Sequence, residues 1–308
     1  MNPWFSLTGK AFLFKTKDRP GETIFFYNSP PVNEVPSLPA FVLIHGLGDE
    51  ADSWRRLIPL LNSRGYRVFA LDLPGFGRSI TSGKINLKTH ATAVQRFLET
   101  VVWPAGTISR TESPVFLAGS SMGAIVAEAV ALKKPALIQG LILLDGSIPG
   151  GPSNPGPLAL AKLLFSRKWY RAYREDPKGA WVSLYPYYAD LDAMPQEDRE
   201  FLKQRVMARV ESPTQERAFF ATQRSLIRSF LFASPWFARK IRVFKGKILL
   251  LWGEKDRIIP LSSANVFKSL RPDINLEVIP GAGHLPHQEK PEETARCITD
   301  FAASLTKL

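Results

Sequence analysis

The residues with the clearest capacity for chemistry lie in Gly119-Ser120-Ser121-Met122-Gly123. This G-x-S-x-G pattern follows the apolar run Val115 to Ala118 and opens an Ala-rich stretch of helical character. A sharp strand-to-helix turn of this type holds its serine in a strained backbone and needs small flanking residues so that strand and helix can approach. The register selects Ser121, between Gly119 and Gly123; Ser120 would lie between Ala118 and the bulkier Met122. A serine hydroxyl is a poor nucleophile at neutral pH, so it needs a base, and the base needs an orienting acid. The histidines available are His45, His90, His284 and His287. His284, in the loop Gly281-Ala282-Gly283-His284 after a predicted strand, is preferred to His287. Asp256, in Trp252-Gly253-Glu254-Lys255-Asp256, is the leading acid and sets the chain order Ser, Asp, His. Asp145, at the end of a predicted strand, is the alternative acid. Glu254 reads as a solvated loop residue.

The backbone N–H groups of Leu47, in His45-Gly46-Leu47-Gly48-Asp49, and of Met122 would form an oxyanion hole. His45 is then a structural turn residue. The segment Asp72-Leu73-Pro74-Gly75-Phe76-Gly77-Arg78-Ser79 reads as a structural loop beside the pocket; lacking a lysine, it is no phosphate-binding loop. The chemistry implied is acyl transfer through Ser121, with His284 as base and Asp256 as its partner, and it needs neither cofactor nor metal.

Such groups require a frame. Two strands are predicted near 11–15 and 22–27, joined by the turn Asp18-Arg19-Pro20-Gly21, and the proline-rich run Asn28 to Pro39 is a loop. Apolar runs predict strands at 40–44, 67–71, 115–118, 141–144, 247–252 and 276–279. Helical spacing predicts helices at 53–63, 87–102, 122–134, 262–270 and 291–305. This alternation is that of a mostly parallel sheet with helices on both faces. It stops at the Pro/Gly-punctuated linker Gly146 to Pro157 and resumes at Lys247; between them, residues from about 158 to 238 read as helices. The expected organisation is a core of residues 1–146 and 246–308, interrupted by a helical insertion at 147–245.

The 308 residues are 45% hydrophobic and 22% charged, which excludes a disordered or collagenous chain. One cysteine, Cys297, excludes an intramolecular disulfide and a cysteine-rich metal site. No signal peptide is read at the start, and the low-charge stretch Ser113 to Leu132 is better explained by strand, turn and helix than by a membrane span. A soluble, cytoplasmic protein is expected. The net charge is +12, and residues 149–245 carry 17 Lys/Arg against 9 Asp/Glu. From Arg217 to Gly253 there are eight basic residues and no acidic one. Arg217, Arg224 and Arg228 share a helical face, either a solvated stripe or a docking face for an acidic carrier protein or an anionic membrane surface. No zinc finger, aromatic RNA-binding motif or basic tail points to nucleic acid. The insertion is rich in aromatics, including Phe165, Trp169, Tyr170, Tyr173, Tyr187, Tyr188, Phe219, Phe230 and Phe232, which suit an apolar substrate or packing between insertion and core.

Taken in order, the segments at 45–49, 72–79, 119–123, 252–256 and 281–284 resemble those of the α/β-hydrolase superfamily. The resemblance covers about 40–145 and 247–305; the insertion matches only in location. It implies the α/β-hydrolase fold, with a helical lid between the sixth and seventh core strands that roofs the site. A serine at the elbow departs from the haloalkane dehalogenases, epoxide hydrolases and dienelactone hydrolases. The short His45-Gly46-Leu47 form departs from the hormone-sensitive-lipase-like esterases. What remains is a set of lid-bearing carboxylesterases, monoacylglycerol-type lipases, C–C bond hydrolases and the pimeloyl-carrier-protein methyl esterase. The expected activity is hydrolysis of small-molecule carboxylic esters of small to medium acyl chains. An acyl-carrier-linked ester or thioester and a C–C bond are the alternatives, and a ligand receptor with little turnover is the least favoured.

Overall fold

The computed structural model describes residues 9–13, 21–31, 38–103, 115–147, 167–168 and 170–306. Eight strands form one sheet: β1 (Gly9–Leu13), β2 (Thr23–Ser29), β3 (Phe41–Ile44), β4 (Val68–Leu71), β5 (Val115–Ser120), β6 (Ile138–Leu144), β7 (Lys247–Gly253) and β8 (Asn275–Ile279). Their order is β1-β2-β4-β3-β5-β6-β7-β8. β1 and β2 pair antiparallel, as do β2 and β4, and every other pair is parallel. The central strands Phe41–Ile44 and Val115–Ser120 are buried at every position, as expected of parallel strands covered on both faces.

The covering layers follow from the helices. On one face lie α2 (Leu87–Phe97), α3 (Met122–Lys133) and α8 (Ser262–Leu270), which share a core with Val42, Ile44, Leu117, Leu143 and Leu250. On the other lie α1 (Leu57–Asn62) and α10 (Pro291–Leu305), packed on Phe41, Leu43, Phe116 and Leu249. Helix α3 is buried nearly all round because Ala and Gly fill its surface, so it can lie between the sheet and other helices. The mostly parallel sheet with helices on both faces, expected from the alternation, is present.

Several boundaries differ from the sequence reading. The first strand begins at Gly9, two residues earlier than expected, while residues 14–20, with the expected strand end and most of the predicted turn, lie outside the described residues. The second runs on to Ser29 because its antiparallel partner β4 pairs Ser29 with Val68. The helix expected at 53–63 is a 3₁₀ turn at Ala51–Trp54 followed by α1. Pro59 can enter only the first turn of a helix, which favours a new start near Leu57. The linker expected at 146–157 lies outside the described residues from 148 onward, as do Phe165 and Trp169.

Between β6 and β7 the described residues hold α4 (Pro177–Val182), α5 (Gln196–Glu211), α6 (Pro213–Arg228) and α7 (Ser234–Val243), with a π-helical turn at Ser229–Ala233. Part of this segment has its own small core, built on Leu184, Tyr188, Leu191, Leu202 and Val206. Polar ties bind it to the rest. Asp198 of α5 accepts from Arg55 at 2.9 Å and Arg56 at 2.7 Å, Arg209 donates to the Gly48 carbonyl at 2.8 Å, and Arg217 donates to the Thr81 carbonyl at 2.9 Å. Among the described residues no helix is long and apolar enough to cross a membrane.

Candidate active site

Ser121 follows β5 directly and precedes α3. Its φ of +53° and ψ of −117° lie outside the ordinary helical and extended regions. Steric room explains the glycines around it. A Cβ on Gly123 would lie 2.2 Å from the Ile44 carbonyl oxygen, and one on Gly119 would lie 2.2 Å from the Gly123 carbonyl oxygen. Strand, turn and helix are therefore in backbone contact. The Ser121 N–H extends the ladder by donating to Leu144 O at 2.8 Å.

His284 and Asp256 arrive on loops beyond β8 and β7. These loops meet closely: a Cβ on Gly253 would stand 1.8 Å from the Gly283 carbonyl oxygen. Lys255 N–H donates to Ala282 O at 2.8 Å, and His284 N–H donates to Tyr187 O, also at 2.8 Å. The result is a continuous polar chain. His284 Nε2 lies 2.9 Å from Ser121 Oγ, and His284 Nδ1 lies 2.8 Å from Asp256 Oδ2. The other oxygen of Asp256 accepts from Ile258 N–H at 2.7 Å and Ile259 N–H at 2.9 Å. The imidazole and carboxylate are both buried, whereas Ser121 opens to the cavity.

Asp145 also comes within this cluster: one candidate ligand atom from each of Asp145, Asp256 and His284 falls within 4.8 Å of the others. It is the one such trio among the described residues, and its Asp256 and His284 atoms are already engaged with each other and with backbone N–H groups. Asp145 has φ +49°. It accepts from Gly253 N–H through Oδ1 at 2.8 Å, and no hydrogen-bond donor reaches its buried Oδ2. Burial, reinforced by the neighbouring Asp256, raises its carboxyl well above the usual carboxylate range.

Leu47 and Met122 both border the cavity at Ser121. Met122 is the first residue of α3, so its N–H has no intrahelical acceptor. Leu47 occupies a central position of the turn closed by Asp49 N–H to Gly46 O at 3.3 Å, a bond that leaves its own N–H out. His45 is fully buried and structural: its Nε2 accepts from Leu73 N–H at 2.9 Å, and Nδ1 lies 2.7 Å from Gly46 O. Asp72 ties its own loop down, accepting from Ala51 N–H at 2.7 Å and Arg78 Nε at 2.8 Å. His287 is directed away from the serine. It lies 2.8 Å from Ser53 Oγ and packs against Trp54 with ring centroids 4.3 Å apart.

Sequence reasoning missed the support beneath His284. Helix α9 (Pro286–Glu289) follows directly. Glu289 accepts from Gly283 N–H at 2.8 Å and from Ala189 N–H at 2.7 Å, which joins the histidine loop to the inserted segment. Gln288 accepts from Tyr188 Oη at 3.0 Å and donates to Ser53 Oγ at 2.9 Å. The only available signal was an acid and an amide just after a Pro-initiated turn.

A cavity of about 370 Å³ opens above Ser121. Leu47, Ile125, Leu202, Val206, Leu226 and Phe230 give it apolar walls. Glu50, Arg205 and Arg209 add a polar region. Glu50 pairs with Arg205, yet burial raises its carboxyl to about 8. The Nε atoms of Arg205 and Arg209 are buried with no hydrogen-bond partner.

Residues 41–297 match the model of the alpha/beta hydrolase family, and the chain belongs to that family. A pimeloyl-[acyl-carrier protein] methyl ester esterase of Methylococcus capsulatus is 30% identical over 268 residues, covering 86% of this chain and 95% of the relative. A 2-hydroxy-6-oxononadienedioate/2-hydroxy-6-oxononatrienedioate hydrolase of Pseudomonas putida is 28% identical over 267 residues, covering 84% and 86%. Among solved structures, a thermophilic esterase from Thermogutta terrifontis superposes with a TM-score of 0.72 at 21% identity, covering 97% of this chain and 99% of that one; this likeness concerns the fold.

Proposed function

We propose that the protein is a serine hydrolase that cleaves carboxylic esters of small to medium acyl chains. The observation that carries this reading is the chain from Ser121 Oγ through His284 to Asp256 at the floor of a largely apolar cavity. His284 takes the hydroxyl proton as Ser121 attacks the ester carbonyl, and Asp256 stabilises the resulting imidazolium. The N–H groups of Leu47 and Met122 receive the oxyanion. His284 then returns the proton to the departing alcohol, and water, deprotonated by the same imidazole, releases the acid and restores Ser121. A volume of about 370 Å³ lies at the lower end of the usual range for small-molecule pockets.

The test is a series of p-nitrophenyl esters from acetyl to hexadecanoyl on wild type and Ser121→Ala. Turnover should peak at short to medium chains and fall by at least about 10⁴-fold in the variant. Equal turnover by both proteins would overturn the reading.

A second reading rests on the two arginine Nε atoms. A substrate with a carboxylate remote from the reacting carbonyl could pair with them. The relative named for a dienedioate substrate fits such a group. Preference for an acid-ended ester over its neutral counterpart, lost in Arg209→Met, would favour this second reading.

A further inference from the structure

The stretch from the end of α6 through α7 has two faces. Inward, Leu226 and Phe230 line the cavity. The next two residues point out: Leu231 is 58% exposed and Phe232 is 79% exposed. Helix α7 repeats the division. Phe237 and Ile241, with Phe244 just past its end, are buried in the main core. On the opposite side Trp236, Arg239, Lys240 and Val243, at spacing i, i+3, i+4 and i+7, are all exposed. Lys240 Nζ lies 5.9 Å from the Trp236 ring centroid. Arg224, Arg228, Arg242 and Lys245 are exposed as well. No acidic residue occurs between Arg217 and Gly253.

Four protruding apolar side chains among cations form an unusual patch for water, where large exposed apolar groups mark a contact surface. A second copy of the chain fits it poorly, because a two-fold contact would set cation against cation. An anionic bilayer meets both halves of the pattern: its headgroups pair with Lys and Arg, while Phe, Leu and Trp enter the boundary with the acyl chains. We propose that the outer face of residues 228–245 is a docking surface for anionic phospholipid membranes, through insertion of Leu231, Phe232 and Trp236. Because Phe230 belongs to the cavity wall, docking there would hold the cavity against the lipid surface. The proposal concerns binding and stands whether or not the ester reading holds.

The test is co-sedimentation of the full chain with vesicles of phosphatidylcholine alone and of phosphatidylcholine mixed with phosphatidylglycerol. Binding is expected only to the anionic vesicles, and it should weaken with added salt. Arg239→Glu with Lys240→Glu should lower partitioning by roughly fivefold or more for each cation lost. Leu231→Ser with Phe232→Ser should lower it at every salt concentration, with melting temperature and short-ester turnover unchanged in both variants. Failure of the wild type to bind anionic vesicles would overturn the proposal. So would equal binding by both variants, or a dimer dispersed by the same substitutions in a protein that ignores vesicles.

Discussion

Asp145 and Asp256 come within reach of the same imidazole, yet their surroundings differ. Asp256 spends one oxygen on two backbone N–H groups and the other on His284. Asp145 receives one N–H and is buried beside a second carboxylate, an environment that favours its protonated form. The two replacements should therefore diverge. Asp256→Asn removes the acceptor that fixes the tautomer of His284, and kcat should fall on the order of 10⁴-fold. Asp145→Asn puts an amide where a neutral carboxyl is favoured, so kcat at neutral pH should stay within roughly an order of magnitude of wild type. Steady-state kinetics on a short p-nitrophenyl ester decides it. A larger loss in Asp145→Asn would transfer the orienting role to that residue.

The first inserted helices, α4 and α5, pack on a small core of their own and are tied to the rest by polar anchors, whereas α6 and α7 reach the main core. Arg55 and Asp198 are 3% and 2% exposed, and Arg56 reaches the same carboxylate. Removing one partner of a buried pair leaves charge without compensation, typically at about 3–5 kcal/mol. Asp198→Ala should lower the melting temperature and open residues 170–211 to limited proteolysis ahead of the rest of the chain. Cleavage as slow as in wild type would show that apolar packing alone suffices. The elements themselves were mostly legible. Short apolar runs such as Phe41–Ile44 could only be buried strands, and the two glycines around Ser121 announced a tight turn. What escaped was long-range pairing. The end of β2 is set by β4, which lies nearly forty residues on. Glu289 matters because Gly283 and Ala189 converge on it, and no local pattern records that meeting. Asp256 already led as the acid in sequence, but the Ile258 and Ile259 N–H groups that hold its other oxygen come into view only in the folded loop. The outward face of α7 escaped for a different reason: burial on one side of a helix is periodic in sequence, but the layer that provides it is not.

For the molecule as a whole, buried histidines couple folding to acid. Burial pushes His287 down to about 3. The unfolded chain binds this proton below about pH 6.5, and the fold refuses it until far lower, so its contribution to stability is complete above about 6.5 and declines as pH falls toward 3. By pH 5 the loss is about 2 kcal/mol. His287→Gln removes the titrating group. Its unfolding free energy, measured in urea, should therefore gain about 2 kcal/mol relative to wild type between pH 7.5 and pH 5. A difference that stays constant with pH would mean that His287 is not the group responsible.

The proposed triad rests on the tips of β5, β7 and β8, while much of the cavity wall comes from helices between β6 and β7. Different lengths of chain thus carry admission and reaction. Substitutions in the helices can alter what is admitted while the path of the proton stays as it was. A drifting lineage could then exchange one substrate for another without ever passing through an inert ancestor.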